Sequence, residues 1–149
     1  MTEVLFYHLE RGALEDVLPG LLEKTLERGW KAVVRAGSRA RVEKLDNFLW
    51  TYREESFLPH ASAGEGAGQP VWLTDNNDVP NNADVLFLTD GAKADMSSLS
   101  SFVRCVLIFD GRDDDALEDA RTFWKEVKTD NHEATYWKQS PAGKWEKQA

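Results

Sequence analysis

The feature that most restricts this chain is a set of short runs that are apolar at consecutive rather than alternate positions. Val4-Leu5-Phe6-Tyr7, Val71-Trp72-Leu73 and Val85-Leu86-Phe87-Leu88 have this character, Trp30-Lys31-Ala32-Val33-Val34 and Phe102–Phe109 share it apart from Lys31 and Arg104, and Ala134-Thr135-Tyr136-Trp137 reads as a final strand. A strand with one face in water alternates apolar and polar residues, whereas an unalternating run suits a strand covered on both faces. Helical periods lie between these runs. From Ala13 to Arg28, Leu14, Val17, Leu18, Leu21, Leu22 and Leu26 recur at helical spacing ahead of a stop at Gly29. Pro19 predicts a kink there, or a helix that starts near it. Ser38 is placed to cap a second helix with the stripe Val42, Leu45 and Leu49, and Asp113–Lys128 reads as another helix. Strands alternating with helices predict an α/β class: a single Rossmann-like domain over 1–149, with a mostly parallel central sheet and helices on both faces.

Totals narrow the class further. A length of 149 residues suits one core, and an apolar fraction of 42% with six tryptophans belongs to a globular chain. No apolar run approaches the roughly 18 residues that cross a bilayer. The start, MTEVLFYHLERG, lacks the basic region and cleavage pattern of a signal peptide, so a cytoplasmic location with no membrane partner is expected. Cys105 is the sole cysteine, which excludes an intramolecular disulfide; mid-strand among apolar neighbours, it reads as an inert core thiol. With 18 Lys and Arg against 26 Asp and Glu, the net charge of −8 weighs against extensive direct contact with DNA. It leaves room for a local basic patch.

An α/β layout raises the question of a nucleotide site, but fold alone does not establish function. No G-x-x-x-x-G-K-[ST] motif occurs. Gly64-Glu65-Gly66-Ala67-Gly68 has no strand leading in and no helix leaving, and Glu65 would repel phosphate, so it reads as a flexible loop. Asp110 and Asp113-Asp114-Asp115 follow the longest apolar strand, where many α/β active sites lie. Two readings fit them: carboxylates of a magnesium site, or the cap and first turn of a helix. His8, His60 and His132 are scattered, and no G-x-S-x-G accompanies them. The expectation is no cofactor, no metal, no small-molecule substrate and no catalytic residue. The alternative is a metal-dependent phosphohydrolase or nucleotide-binding enzyme using Asp110 and Asp113–Asp115.

Two other segments carry more information. At about 100° per residue, helix 113–128 places Ala116, Ala120, Phe123 and Val127 in one arc. Glu118, Asp119, Thr122 and Glu126 fall on the far side. Arg121, Lys125 and Lys128 form a separate basic stripe, with Trp124 and Leu117 at the border between stripe and core. One reading is cations favoured near a helix C-terminus beside a partly buried indole. The other is a pocket for an acidic peptide with an apolar end, gripped by arginine and received by the indole face. The second segment is Leu45–His60, LDNFLWTYREESFLPH. Trp50 lies about 110° from the Val42, Leu45 and Leu49 stripe, so helical periodicity does not require it in the core. Phe57 follows the charged Arg53-Glu54-Glu55 stretch, which leaves it either folded back as a staple or presented outward; an exposed patch of this kind usually marks an interface, and Leu58-Pro59-His60 reads as a rigid exit without a catalytic task for His60.

In their order along the chain, Phe6-Tyr7, Leu45-Asp46, Leu49-Trp50, Glu55–His60, Gly64-Glu65-Gly66 and Pro70-Val71 resemble the chi subunit family of bacterial DNA polymerase III. The resemblance covers most of the chain and fades beyond Thr129, where about 139–149 looks like a variable tail. It implies a non-catalytic, Rossmann-like accessory subunit of the replisome without a nucleotide site. Such a subunit ties the clamp loader to single-stranded DNA-binding protein by holding that protein's acidic, phenylalanine-ended C-terminal tail, and so meets DNA indirectly. Arg121, Trp124, Lys125 and Lys128 match the family's tail-binding helix, with Trp in place of the usual Tyr. The resemblance places a contact with the psi subunit, where one exists, around Trp50 and Phe57. A helicase-associated module fits the same fold but lacks any motor motif.

Overall fold

Each of the continuous apolar runs lies in or across a strand. The computed structural model describes residues 2–10, 12–51, 60–142 and 144–149. Among them the order is β1 (Glu3–Leu9), α1 (Leu14–Glu27), β2 (Ala32–Arg35), α2 (Arg39–Thr51), β3 (Val71–Thr74) and β4 (Val85–Leu88). Then follow α3 (Met96–Leu99), β5 (Arg104–Asp110), α4 (Asp114–Thr129), β6 (Glu133–Gln139) and β7 (Trp145–Lys147). The strands form one sheet in the order β3-β2-β4-β5-β1-β6-β7. All pairings are parallel except β6 with β7, which is antiparallel.

Two apolar layers explain why the strand sequences do not alternate. Leu14, Leu18 and Leu22 of α1 and Val42, Leu45 and Leu49 of α2 pack on Ala32, Val34, Phe87, Val106 and Ile108. On the opposite face, Leu99 of α3 and Ala120 and Val127 of α4 pack on Val4, Phe6, Val33, Leu86, Leu88 and Cys105. Successive strand residues point to opposite faces, so both registers must be apolar. Each fully buried Leu or Phe contributes roughly 1.5–3 kcal/mol relative to leaving it in water. Face assignment follows chain direction: crossovers through α1 and α2 run toward β3, while those through α3 and α4 run the other way. Right-handed parallel crossovers impose that division.

Local starts and stops are legible in the residues. Ser38 Oγ accepts a hydrogen bond from Arg41 N–H at 3.3 Å, as expected of a cap. Gly29 closes α1 at φ 79°, a left-handed conformation that costs glycine little. The first helix does not begin at Pro19: it runs from Leu14 to Glu27 with Pro19 buried in its second turn. Asp16 Oδ2 accepts from Ala13 N–H at 2.9 Å and satisfies a donor at that helix start. The segment expected as a tail contains β7, whose Trp145 packs edge-on to Tyr7 with ring centroids 5.0 Å apart. No described helix is long and apolar enough to cross a membrane.

Cys105 is fully buried on β5, and burial pushes its thiol pKa up to about 12. The reactive form of a thiol is the thiolate. Ellman's reagent at neutral pH is therefore expected to leave Cys105 unlabelled in the native protein and to react stoichiometrically in denaturant; prompt native labelling would contradict this packing.

Candidate docking site

Helix α4 opens with acid chemistry of its own. Asp113 is the N-cap, its Oδ1 accepting from Asp115 N–H at 3.0 Å and from Ala116 N–H at 3.3 Å. Asp110 accepts from Arg112 Nε–H at 2.8 Å and from the Arg112 backbone N–H at 2.9 Å; these bonds hold its carboxyl below the usual range. A cleft of about 870 Å³ opens at the C-terminal ends of β1, β4 and β5, where α1 and α4 diverge to opposite faces. In α/β sheets this switch point is the usual ligand crevice. Here its lining carries the carboxylates of Glu15, Asp90, Asp95, Asp110, Asp113, Asp115, Asp119 and Glu126 against the cations Arg41, Lys93 and Arg112. Arg41 is occupied by Glu15 and Asp90 at 2.7 and 2.8 Å. Such a lining repels phosphate. Among the described residues, no group of three or more His, Cys, Asp or Glu is placed to hold a metal ion. Asp110, Asp113 and Asp115 thus converge on one cleft, but two of them have identified local partners.

The other side of α4 is different in kind. Arg121, Lys125 and Lys128 are all exposed, and among the described residues none of the three joins an ion pair. Ala120 and Val127 are fully buried, and Phe123 and Trp124 are half-buried. The predicted separation of core arc and basic stripe therefore holds in three dimensions. Trp124 packs edge-on to Phe6 at 5.2 Å between centroids and to Tyr136 at 5.9 Å. Lys128 Nζ lies 5.4 Å from the Trp124 ring centroid, within cation–π range. The result is an indole fixed from below by aromatic rings and flanked by the Lys128 ammonium, on a helix whose Arg121 and Lys125 are also exposed.

Sequence spacing could not supply that floor. Phe6 on β1 and Tyr136 on β6 are register partners and stack with centroids 6.0 Å apart and an interplanar angle of 13°. Their approach depends on β1 and β6 being neighbours, which no local pattern encodes. Tyr136 Oη is 2.6 Å from His8 Nδ1, and Glu10 Oε1 is 2.8 Å from His8 Nε2. Burial lowers the His8 pKa, against the opposing pull of Glu10. Burial raises that of Tyr136, with the Arg121 charge acting in the lowering direction.

Trp50, at the end of α2, is 49% exposed, while Leu45 and Leu49 are buried. Its ring packs against His60 with centroids 4.3 Å apart. His60 is buried, with Nε2 3.0 Å from the Asp46 carbonyl and 3.2 Å from Asp46 Oδ1. The role of His60 is therefore to pin the chain back on α2 and support one face of Trp50, a task the sequence did not disclose. Phe57, the other residue read as an interface, lies outside the described residues.

Residues 1–135 match the family model described as "DNA polymerase III chi subunit, HolC". Over 98 residues the chain is 34% identical to the probable DNA polymerase III subunit chi of Rickettsia prowazekii, covering 62% of this chain and 59% of that protein. Over 89 residues it is also 34% identical to the DNA polymerase III subunit chi of Pseudomonas aeruginosa, covering 58% and 63% respectively. The chain thus spans about three-fifths of the length of these relatives. The family match takes in α4 and its basic stripe and stops within β6.

Proposed function

The chain belongs to the DNA polymerase III chi subunit family, and on that premise we propose that it is a non-catalytic replication subunit acting as an adaptor. Its task is to link the clamp loader to single-stranded DNA-binding protein by holding that protein's acidic C-terminal tail. The observation that carries this reading is the face of α4, where Arg121, Lys125 and Lys128 stand exposed beside the half-buried Trp124 on a chain of net charge −8. Unpaired cations next to a supported aromatic ring suit a peptide with carboxylates and a terminal phenylalanine. Arginine receives a carboxylate through two parallel N–H donors, and the indole offers a face to the phenyl ring. Bare DNA suits the chain poorly, so contact with DNA runs through the bound protein. In this reading Trp50 and Phe57 are the residues assigned to contact with the psi subunit, where one exists. The location is the bacterial cytoplasm, with the replisome at the nucleoid.

Titration of the purified chain into a fluorescently labelled peptide ending in such a tail tests the assignment. Low-micromolar or weaker binding is expected, since a short peptide buries little area. Raising salt from about 0.1 to about 1 M shortens the screening length from roughly 10 to roughly 3 Å. Affinity should fall accordingly. A peptide that fails to bind, or binds independently of salt, overturns the tail assignment, whereas magnesium-dependent turnover of nucleotides would favour an enzyme.

A further inference from the structure

Arg35, the last residue of β2, is only 5% exposed. Val34 belongs to the α1–α2 layer and Val33 to the α3–α4 layer, so Arg35 turns toward the α3 side of the sheet. Its Nη1 donates to the Lys93 carbonyl at 3.0 Å, while its buried Nε has no hydrogen-bond partner. Among the described residues it joins no ion pair. A guanidinium withdrawn from water without a neutralising partner is unfavourable unless something else supplies the opposite charge. Burial pulls its pKa down, with Cys105 and then Asp95 acting in the opposite sense.

Arg35 lines a cavity of about 340 Å³ beneath α3, within the range of small-molecule sites. Asn77, Asn82, Ser98 and Ser101 add polar groups to its wall, and Phe102 and Val79 an apolar side. Asp95, exposed at the rim, stands before α3 but makes no side-chain cap bond. A buried cation and a rim carboxylate therefore face one cavity without pairing with each other.

We propose that this cavity binds a small zwitterion of the α-amino-acid type, with its carboxylate facing Arg35 and its ammonium facing Asp95. The rim carboxylate disfavours a bare inorganic anion, and the guanidinium disfavours a metal cation. The site lies at β2, with β4 and β5 between it and β1, so it is separate from the docking face on α4.

The test is nuclear magnetic resonance of the full chain, following the Arg35 Nε–H signal during titration with L-alanine, acetate or inorganic phosphate. Arg35→Met assigns the signal by its disappearance and should fold, because an apolar residue of similar length relieves a buried charge. L-alanine is expected to shift the signal saturably and to bind roughly two- to five-fold more tightly than acetate, the contribution of one partly exposed ion pair. Asp95→Asn alters an exposed side chain and should abolish that preference while leaving the acetate response intact. An Arg35 signal that none of the probes moves overturns the site. Phosphate binding as tight as that of alanine, or an alanine preference that survives Asp95→Asn, overturns the zwitterion assignment.

Discussion

Replacing Phe6 with Ala is expected to lower the free energy of unfolding by about 3–5 kcal/mol, the range for truncating a buried aromatic. Phe6 is fully buried at the centre of β1 and contacts the rings of Phe123, Trp124 and Tyr136 at centroid distances of 5.7, 5.2 and 6.0 Å. Alanine leaves a void beneath α4, and backbone pairing to β5 and β6 on either side limits how far the site can collapse. Against a typical total of about 5–15 kcal/mol, the loss is a large fraction of the stability. Urea unfolding followed by tryptophan fluorescence and circular dichroism measures it. Glu118→Ala, an exposed change on the far side of the same helix, should stay within about 0.5 kcal/mol of wild type. A Phe6→Ala shift below about 1 kcal/mol would show that Phe6 is not the floor of this face. Where the variant remains folded, its affinity for the tail peptide should also fall, because Trp124 loses the ring that holds its orientation.

The core of the fold was legible because it obeys short-range rules. Continuous runs such as Val85–Leu88 announce burial on both faces, and Val42, Leu45 and Leu49 announce one face of a helix. A helix too short to show a period, and a strand without a continuous apolar run, stayed hidden. Helix α3 has four residues, and β7 has three, with Trp145 as its apolar anchor. The basic stripe was readable on a helical projection, since Arg121, Lys125 and Lys128 are spaced by helix geometry alone. Its floor was not, because Phe6 and Tyr136 meet only once β1 and β6 pair. His60 and Arg35 were opaque for a related reason. A histidine pinned to Asp46 fourteen residues earlier looks like any loop histidine, and an arginine ending a strand looks exposed until the covering layer is known.

Arg121→Ala is expected to weaken binding of the acidic tail by roughly 1.5–3 kcal/mol, the cost of a lost charged hydrogen bond and about ten- to hundred-fold in Kd. Arg121 is exposed and makes no ion pair among the described residues, so its removal should leave the unfolding midpoint unchanged. This separates it from Phe6→Ala, which should disturb stability and binding together. Arg121→Lys decides between two ways of attracting a tail. A diffuse positive field needs only the charge, and lysine would preserve it. A forked grip on a carboxylate needs the planar guanidinium, which lysine lacks. Arg121→Lys should therefore fall well below wild type, with Lys125→Ala losing less because an ammonium acts as a screened point charge. Lys128→Ala should fall between Lys125→Ala and Arg121→Ala, because Lys128 Nζ also lies over the Trp124 ring at 5.4 Å. Fluorescence anisotropy at a fixed, low salt concentration measures all four variants. Equal affinity for wild type and Arg121→Ala removes the tail from this face, and equal affinity for wild type and Arg121→Lys reduces the grip to charge alone.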